Sequence, residues 1–372
     1  MGQFTSIFIS PSRYVQGSGA INEIADHVSL LGDRILVIGG KTGLSVTREA
    51  RDRGFAEKGI YQVEELFVGE CCDMEIERLT AVSQKHKCNI IAASGGGKAI
   101  DTVKVIAANL KASTVVIPTI ASTDAPCSCL SVVYDEHGVF DRFFIPPRNP
   151  DLVLVDTAII AKASPRLLVA GMGDALATWF EADACNRSCA LNLPGGRITA
   201  TAMAAARLCF DILMEYGVQA KIACEHQVVT PALEKVIEAN TLLSGLGFES
   251  GGLGAAHSMQ DGFTVLEEIH EFTHGEKVAF LTLTQLVLEE RPKETIQQVY
   301  EFCHKVGLPI TLGDLNIDKV GEKRLMEAVV LSSLPGKIMH NHAFPINDQM
   351  VYDAVIVADA MGRAVKKGTP IV

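Results

Sequence analysis

Three residues in the second half of the sequence have the side-chain types of a catalytic metal site. Asp174, His257 and His274 are each flanked by glycine or other small residues, which leave room around the polar group. A catalytic zinc takes three protein ligands and keeps one position open, and one carboxylate with two imidazoles meets that need. Because the three residues lie far apart in the sequence, spacing alone leaves a second interpretation open, in which each is an ordinary hydrogen-bonded or solvated side chain.

A glycine-rich turn suggests a second function, the binding of a phosphate group. The run Gly95-Gly96-Gly97 stands between an apolar segment, Asn89–Ser94, and a helical pattern over Lys98–Leu110, with Asp101 expected in the first helical turn. Glycines let a backbone approach a pyrophosphate, and the free amides that begin a helix bind anions. The usual GxGxxG fingerprint is absent, so a plain tight turn remains the alternative.

A second loop, Pro118–Pro126 (PTIASTDAP), follows the next apolar segment, Ser113–Pro118. In open α/β sheets, ligands collect beyond the carboxyl ends of the strands, so this loop is predicted to join the glycine run around one ligand. Asp124 lies in the loop between small residues. It is a candidate ligand contact, and capping a turn is its ordinary alternative.

The elements that must position these residues divide into two kinds. In the first part of the chain, apolar segments alternate with helical patterns, which predicts a parallel sheet covered by helices on both faces. Phe4–Ile9 is predicted as a first strand. Leu130–Tyr134 and Val139–Ile145 are predicted as a hairpin around Asp135–Gly138. The predicted central strands are Arg34–Gly40, Asn89–Ser94, Ser113–Pro118 and Asp151–Asp156.

After about residue 165 the pattern becomes helical, with apolar residues at a period of 3.6. The predicted helices include Ile198–Glu215, Pro231–Gly247, Glu276–Glu290 and Lys293–Val306. The fold class is therefore an α/β nucleotide-binding domain with a parallel sheet, expected over residues 1–162. An all-α metal-binding domain is expected over residues 163–372.

Composition excludes several classes of protein. The 372 residues carry a net charge of −11 without a dense run of Lys or Arg, which argues against nucleic acid or an anionic membrane as a partner. No run of 18 apolar residues and no signal-peptide pattern occurs. The ten cysteines form no zinc-binding pattern and are expected as reduced thiols. A cytoplasmic location is the expectation.

Five segments carry a resemblance to a known family. The sequence resembles the glycerol dehydrogenases, within the iron-containing alcohol dehydrogenase and dehydroquinate-synthase-like superfamily, over nearly its whole length. The segments are Gly95–Lys104 (GGGKAIDTVK), Pro118–Pro126 (PTIASTDAP), Gly173–Ala182 (GDALATWFEA), Asn240–His257 (NTLLSGLGFESGGLGAAH) and His274–Phe280 (HGEKVAF).

The resemblance implies a role for individual residues. Asp174, His257 and His274 match the family's zinc ligands, which contact the substrate through the metal. Asp124 matches a glycerol contact and Phe248 a pocket wall. The positions that match NAD contacts are Gly95, Gly96, Gly97, Lys98, Asp101, Thr119, Ser122, Ser128, Leu130 and Tyr134. Octamers are typical of the family, so a homo-oligomer is expected.

Two positions refine what the resemblance implies. Iron-dependent relatives carry a histidine four residues after the aspartate, whereas this chain has Thr178. Three ligands with an open position favour zinc over iron. Many relatives have an acidic residue after the first nucleotide-binding strand, where it holds the adenosine ribose and repels a 2′-phosphate. Here Gly40, followed by Lys41, predicts some tolerance of NADP beside NAD.

The activity implied is the transfer of a hydride from glycerol to NAD, which gives dihydroxyacetone. A related diol or polyol dehydrogenase, or a hydroxyketone reductase of the same fold, is the nearest alternative. Two further alternatives are a carbon–oxygen lyase on the same scaffold and a catalytically silent nucleotide-binding protein. Retention of all three candidate ligands argues against the silent protein.

Overall fold

A computed structural model describes residues 5–136, 138–369 and 371. The part of the chain up to residue 161 alternates strands with helices. Its elements are β1 (Tyr14–Gly17), α1 (Ile24–Val28), β2 (Arg34–Gly39), α2 (Lys41–Lys58), β3 (Tyr61–Leu66), α3 (Asp73–His86), β4 (Ile90–Gly95), α4 (Gly97–Leu110), β5 (Ser113–Pro118), β6 (Ser131–Tyr134), β7 (Phe140–Phe144), β8 (Leu152–Asp156) and α5 (Thr157–Ala161).

The rest of the chain is helical over the residues described. Its helices are α6 (Pro165–Ser188), α7 (Ala200–Glu225), α8 (Pro231–Glu238), α9 (Ser244–Gly251), α10 (Ala255–Phe263), α11 (His274–Leu288), α12 (Lys293–Val306), α13 (Glu322–Ser332) and α14 (Asp348–Lys366). One turn of π-helix, Ala239–Leu243, joins α8 to α9. None of the described helices combines the length and apolar character needed to cross a membrane.

The chain forms two compact units. One comprises Ile9–Leu168 together with Ala223–Gly245, and the other comprises Val169–Ile222, Leu246–Val372 and the described residues before Ile9. The sequence predicted a single boundary between two domains, after residue 162. The segment Ala223–Gly245 instead packs with the sheet, although its helical pattern resembles that of the other unit.

The first unit contains a six-stranded sheet in the order β1-β8-β5-β4-β2-β3, and every pair in it is parallel. The four central strands, β2, β4, β5 and β8, are buried along almost their whole length. Such strands need apolar residues on both faces, which explains their continuous apolar segments. The predicted fold class, a parallel α/β sheet followed by a helical part, is confirmed.

Two details of the strands differ from the sequence-based expectations. The edge strands β1 and β3 were not predicted, because a half-buried edge strand such as Tyr61–Leu66 carries no continuous apolar segment. The strand predicted at Phe4–Ile9 is wrong for the described residues 5–9, where Ser6 makes only an isolated bridge to Arg197; Phe4 lies outside the described residues.

The predicted hairpin is confirmed as the antiparallel pair β6–β7, although His137, a residue of the predicted turn, lies outside the described residues. In the glycine-rich turn, α4 begins at Gly97, so Asp101 lies in the second helical turn and not in the first.

Candidate metal centre and nucleotide-binding loop

The candidate metal centre is built on the helical unit, by three helices. Asp174 lies on α6 with only 1 % of its surface exposed. His257 is the third residue of α10, and His274 is the first residue of α11. Both histidines therefore stand in the first turn of a helix, where the backbone direction is fixed by the helix that follows.

Local sequence explains where α11 begins. Thr273 and Glu276 form a capping box, in which each side chain accepts a hydrogen bond from the other's backbone amide. This box places His274 at the first helical position. The start of α10 has no such device, because its N-cap residue is Gly254, which lacks a side chain. The amides of its first turn instead donate hydrogen bonds to side chains of other helices.

Glycines next to two of the ligands allow α6 and α11 to touch through their backbones. A Cβ atom added to Gly275 would lie 1.8 Å from the carbonyl oxygen of Ala170, and one added to Gly173 would lie 2.3 Å from the carbonyl oxygen of Gly275. No side chain fits at such distances. The small flanking residues, expected to leave room around the ligands, thus serve the close approach of two helices at this place.

The three candidate ligand atoms converge on one point. The Nε2 atom of His274 lies 3.2 Å from Oδ1 of Asp174, and Nε2 of His257 lies 3.6 Å from the same oxygen. The two Nε2 atoms are 3.4 Å apart. Among the described residues, this is the one group of three or more His, Cys, Asp or Glu side chains that could hold a metal ion.

The donor set fits a divalent cation. One carboxylate oxygen and two imidazole nitrogens are ordinary ligands of zinc and of other first-row metals. Burial alone raises the pKa of the Asp174 carboxyl, but the adjacent His274 and His257 rings outweigh it and hold that pKa well below its usual range. The carboxylate is therefore ionised, as a metal ligand must be.

A fourth side chain, Glu181, completes the surroundings of His257. Its Oε2 atom lies 2.6 Å from Nδ1 of the His257 ring, and its Oε1 atom accepts hydrogen bonds from the backbone amides of Gly254 and His257 at 2.9 and 3.0 Å. Residue type and spacing did not single out Glu181 in the sequence. A signal was present, because Glu181 follows Asp174 by seven residues and such residues share one face of a helix.

The candidate nucleotide-binding loop lies in the sheet unit, between β4 and α4. Strands β4 and β5 are neighbours, with Gly95 paired to Pro118. The amide of Thr119 donates to the carbonyl of Gly95 at 3.2 Å. The predicted proximity of the glycine run and the loop Pro118–Pro126 is therefore confirmed, and both lie at the carboxyl ends of parallel strands.

Buried charges tie the next segment to α4. The Asp101 carboxylate accepts a hydrogen bond from the amide of Val132 at 3.1 Å, and the Lys104 ammonium donates to the carbonyl of Leu130 at 2.8 Å and to the Ser128 hydroxyl at 3.4 Å. Asp101 thus shapes the segment that follows the loop, in addition to any contact with a nucleotide.

The remaining predicted contacts occupy varied positions. Lys98 is largely exposed and pairs with Glu70. Ser122 is half-buried. The backbone amide of Tyr134 donates to the carbonyl of Cys71 at 2.8 Å. The roles of these residues toward a nucleotide stay predictions.

Asp124, the predicted substrate contact, is buried within the sheet unit. One of its carboxylate oxygens accepts a hydrogen bond from the Ser244 hydroxyl at 2.7 Å, which fixes the orientation of the carboxylate. Phe248, the predicted pocket wall, is buried in α9. Their contacts with a substrate stay predictions.

Comparison with known proteins adds the family. Residues 11–157 match the iron-containing alcohol dehydrogenase family. The chain is 48 % identical to a glycerol dehydrogenase of Thermotoga maritima over 366 residues, which is 98 % of this chain and 99 % of the relative. It is 43 % identical to a glycolaldehyde reductase of Halobacterium salinarum over 362 residues, 97 % of this chain and 99 % of the relative.

Solved structures agree with these sequence relationships. A probable glycerol dehydrogenase from Sinorhizobium meliloti aligns with a TM-score of 0.91 at 44 % identity, covering 96 % of this chain and 99 % of the other. The chain belongs to the iron-containing alcohol dehydrogenase family. Its resemblance to the glycerol dehydrogenases within that family, predicted from five sequence segments, is confirmed.

Proposed function

We propose that the chain is a zinc-dependent oxidoreductase that converts glycerol to dihydroxyacetone by transfer of a hydride to NAD. The observation that carries the proposal is the convergence of Asp174, His257 and His274 within 3.2–3.6 Å of one another, in a chain this similar to glycerol dehydrogenases. The glycine-rich start of α4 supports NAD as the second reactant.

The donor set supports zinc. Two imidazole nitrogens and one carboxylate oxygen are ordinary zinc ligands, and their separations of 3.2, 3.4 and 3.6 Å allow one cation to contact all three. Thr178 in place of a fourth ligand agrees with an open position for substrate.

The residues of the chain have separate tasks in this reaction. Asp174, His257 and His274 would hold the cation, which acts as a Lewis acid on an alcohol oxygen and lowers the pKa of that hydroxyl. The amides at the start of α4 would bind the pyrophosphate of NAD. Asp124, whose carboxylate is oriented by Ser244, would accept a hydrogen bond from a substrate hydroxyl.

A second candidate function is the reduction of a small hydroxyaldehyde or hydroxyketone. The 43 % identity to a glycolaldehyde reductase favours it as a specific alternative. The two functions share the site and differ in substrate and direction. Steady-state kinetics with glycerol, 1,2-propanediol, dihydroxyacetone and glycolaldehyde distinguish them, because the preferred substrate has the highest kcat/KM.

The proposal is tested by measuring bound metal and turnover of glycerol with NAD in the same preparation. We expect about one zinc per chain. We expect Asp174→Asn to lose the metal and about 10³-fold in kcat/KM, since a Lewis-acid cation contributes several kcal/mol. The matched control is Asp359→Asn, an equally buried aspartate that accepts from the amide of Leu312 and pairs with Arg363. Full activity in a folded, metal-free Asp174→Asn protein would overturn the proposal.

The preference between NAD and NADP is a separate question, which concerns Gly40. A Cβ atom added to Gly40 would have no atom within 4 Å, so packing does not require glycine there. We expect wild type to use NADP measurably, and Gly40→Asp to lower kcat/KM with NADP relative to NAD by about tenfold, because an acid repels the 2′-phosphate. A wild-type NADP efficiency thousands-fold below that with NAD would contradict this expectation.

A further inference from the structure

One carboxylate, that of Glu181, makes all of its described contacts with the segment that carries the ligand His257. Glu181 is fully buried on α6, on the same helix face as Asp174 and two turns further along. A buried carboxylate is costly unless hydrogen-bond donors surround it. The donors here are two backbone amides and one imidazole nitrogen, which come from Gly254 and His257 alone.

The first of these contacts replaces a missing helix cap. Gly254 has no side chain that could accept the free amides at the start of α10. The Oε1 atom of Glu181 accepts the amide of His257 from the neighbouring helix. The Oε1 atom therefore fixes the backbone of the residue whose ring the Oε2 atom also contacts.

The second contact determines which ring nitrogen carries the proton. An ionised carboxylate only accepts hydrogen bonds, so Nδ1 of His257 must be the donor toward Oε2 at 2.6 Å. A neutral imidazole with its proton on Nδ1 has a lone pair on Nε2. That Nε2 atom is the one that faces Asp174 and His274.

We propose that Glu181 is a positioning residue, which holds the backbone and the ring tautomer of His257 so that Nε2 is ready to bind a metal ion. This inference rests on the proposed metal site and adds a residue to it. Removal of such an outer partner of a metal-binding histidine typically costs 10–100-fold in metal affinity. A residue that served only to cap α10 would affect stability and leave metal affinity alone.

The variant Glu181→Gln separates these two roles. Its amide oxygen must face the amides of Gly254 and His257, because the opposite orientation would point its NH₂ group at two other donors. The cap is thereby kept, while the NH₂ group now donates to Nδ1 of His257. The ring proton moves to Nε2 and occupies the nitrogen that should bind the metal.

The experiment measures the affinity of metal-free protein for Zn²⁺ by competition with a chelator, and thermal unfolding of the same metal-free protein. For Glu181→Gln we expect affinity 10–100-fold below wild type and a midpoint within about 3 °C of it. Glu181→Ala, which also removes the cap, should lower both the affinity and the midpoint. The visible absorption of bound Co²⁺ gives a second readout, which should weaken or shift in Glu181→Gln.

The matched control is Glu289→Gln. Glu289 is a buried carboxylate in the same unit, and it also pairs with a histidine, His342, at 2.8 Å. Its loss should leave Zn²⁺ affinity within about threefold of wild type. Wild-type affinity in Glu181→Gln would overturn the inference and leave the metal site standing. If wild type itself bound no Zn²⁺, the proposed function would fail, and the inference with it.

Discussion

Among the described residues of the helical unit, two histidines each pair with a buried glutamate, and the two pairs have different surroundings. In one, Nδ1 of His257 lies 2.6 Å from Glu181. In the other, Nε2 of His342 lies 2.8 Å from Glu289. Both carboxylates are buried, with side-chain exposures of 0 % and 4 %. By chemical type and by burial alone, either pair is suited to a functional site.

The second ring nitrogen distinguishes the pairs. In His342, Nδ1 donates to the carbonyl of Met339 at 3.0 Å, so both ring nitrogens make hydrogen bonds within the protein. Glu289 is also held by Gln285 and Arg291. In His257, Nε2 faces the ligand atoms of Asp174 and His274. A buried histidine–carboxylate pair therefore indicates a metal site only when the remaining nitrogen faces further ligands.

The largest expected effect is on metal binding, and it should appear at His257 alone. His257→Ala removes a direct ligand, so its Zn²⁺ affinity should fall by more than the roughly 100-fold that the loss of an outer partner costs. His342→Ala should stay within about threefold of wild type. Chelator competition on both variants checks this. Equal losses of affinity would break the comparison.

The next effect is on stability, for which His342 is expected to matter more than His257. His342→Ala removes one partner of the buried Glu289, for which we expect a loss of about 2–3 kcal/mol in the free energy of unfolding. This is less than for an isolated buried charge, because Arg291 remains. Denaturant unfolding of metal-free protein measures the change. A loss below about 0.5 kcal/mol would mean that the pair contributes little to the fold.

The smallest effect is a pH dependence at Glu289. Burial raises the pKa of Glu289, but His342 and Arg291 outweigh it, so that the pKa in the folded protein is lowered. A depressed carboxyl pKa stabilises the protein above the unfolded value of about 4.3 and ceases to do so as the pH falls through the folded value. Between pH 6 and pH 4, wild type should therefore lose roughly 0.5 kcal/mol more than Glu289→Gln.

Unfolding curves at these two pH values test this last expectation. Metal-free protein must be used, because metal binding to His257 is itself linked to protons. Parallel pH dependence in the two proteins would show that Glu289 has the same pKa in the folded and unfolded chains.

The sequence predicted the centre of the fold better than its edges, for a physical reason. Strands β2, β4, β5 and β8 are buried on both faces and leave continuous apolar segments, whereas the edge strands β1 and β3 do not. The segment Ala223–Gly245 was assigned to the helical domain because of its helical period. Periodicity cannot tell which unit a helix packs against.

The residues of the candidate site also differ in how well the sequence predicted them. Asp174, His257 and His274 were weak candidates by residue type and were identified through the family resemblance of their flanking segments. Glu181 and His257 are 76 residues apart in sequence, and no local pattern joins them. Long-range pairing of polar groups is set by the packing of helices, which the sequence does not display.

Helix α6 also fixes the spacing between three residues that have different contacts. Over two turns it carries Gly173 at the contact with α11, Asp174 at the ligand triangle and Glu181 at the start of α10. Inserting a single residue between Asp174 and Glu181 would rotate one against the other by about 100° and shift them by about 1.5 Å. Related chains should therefore tolerate changes of side chain within this stretch more readily than any change in its length.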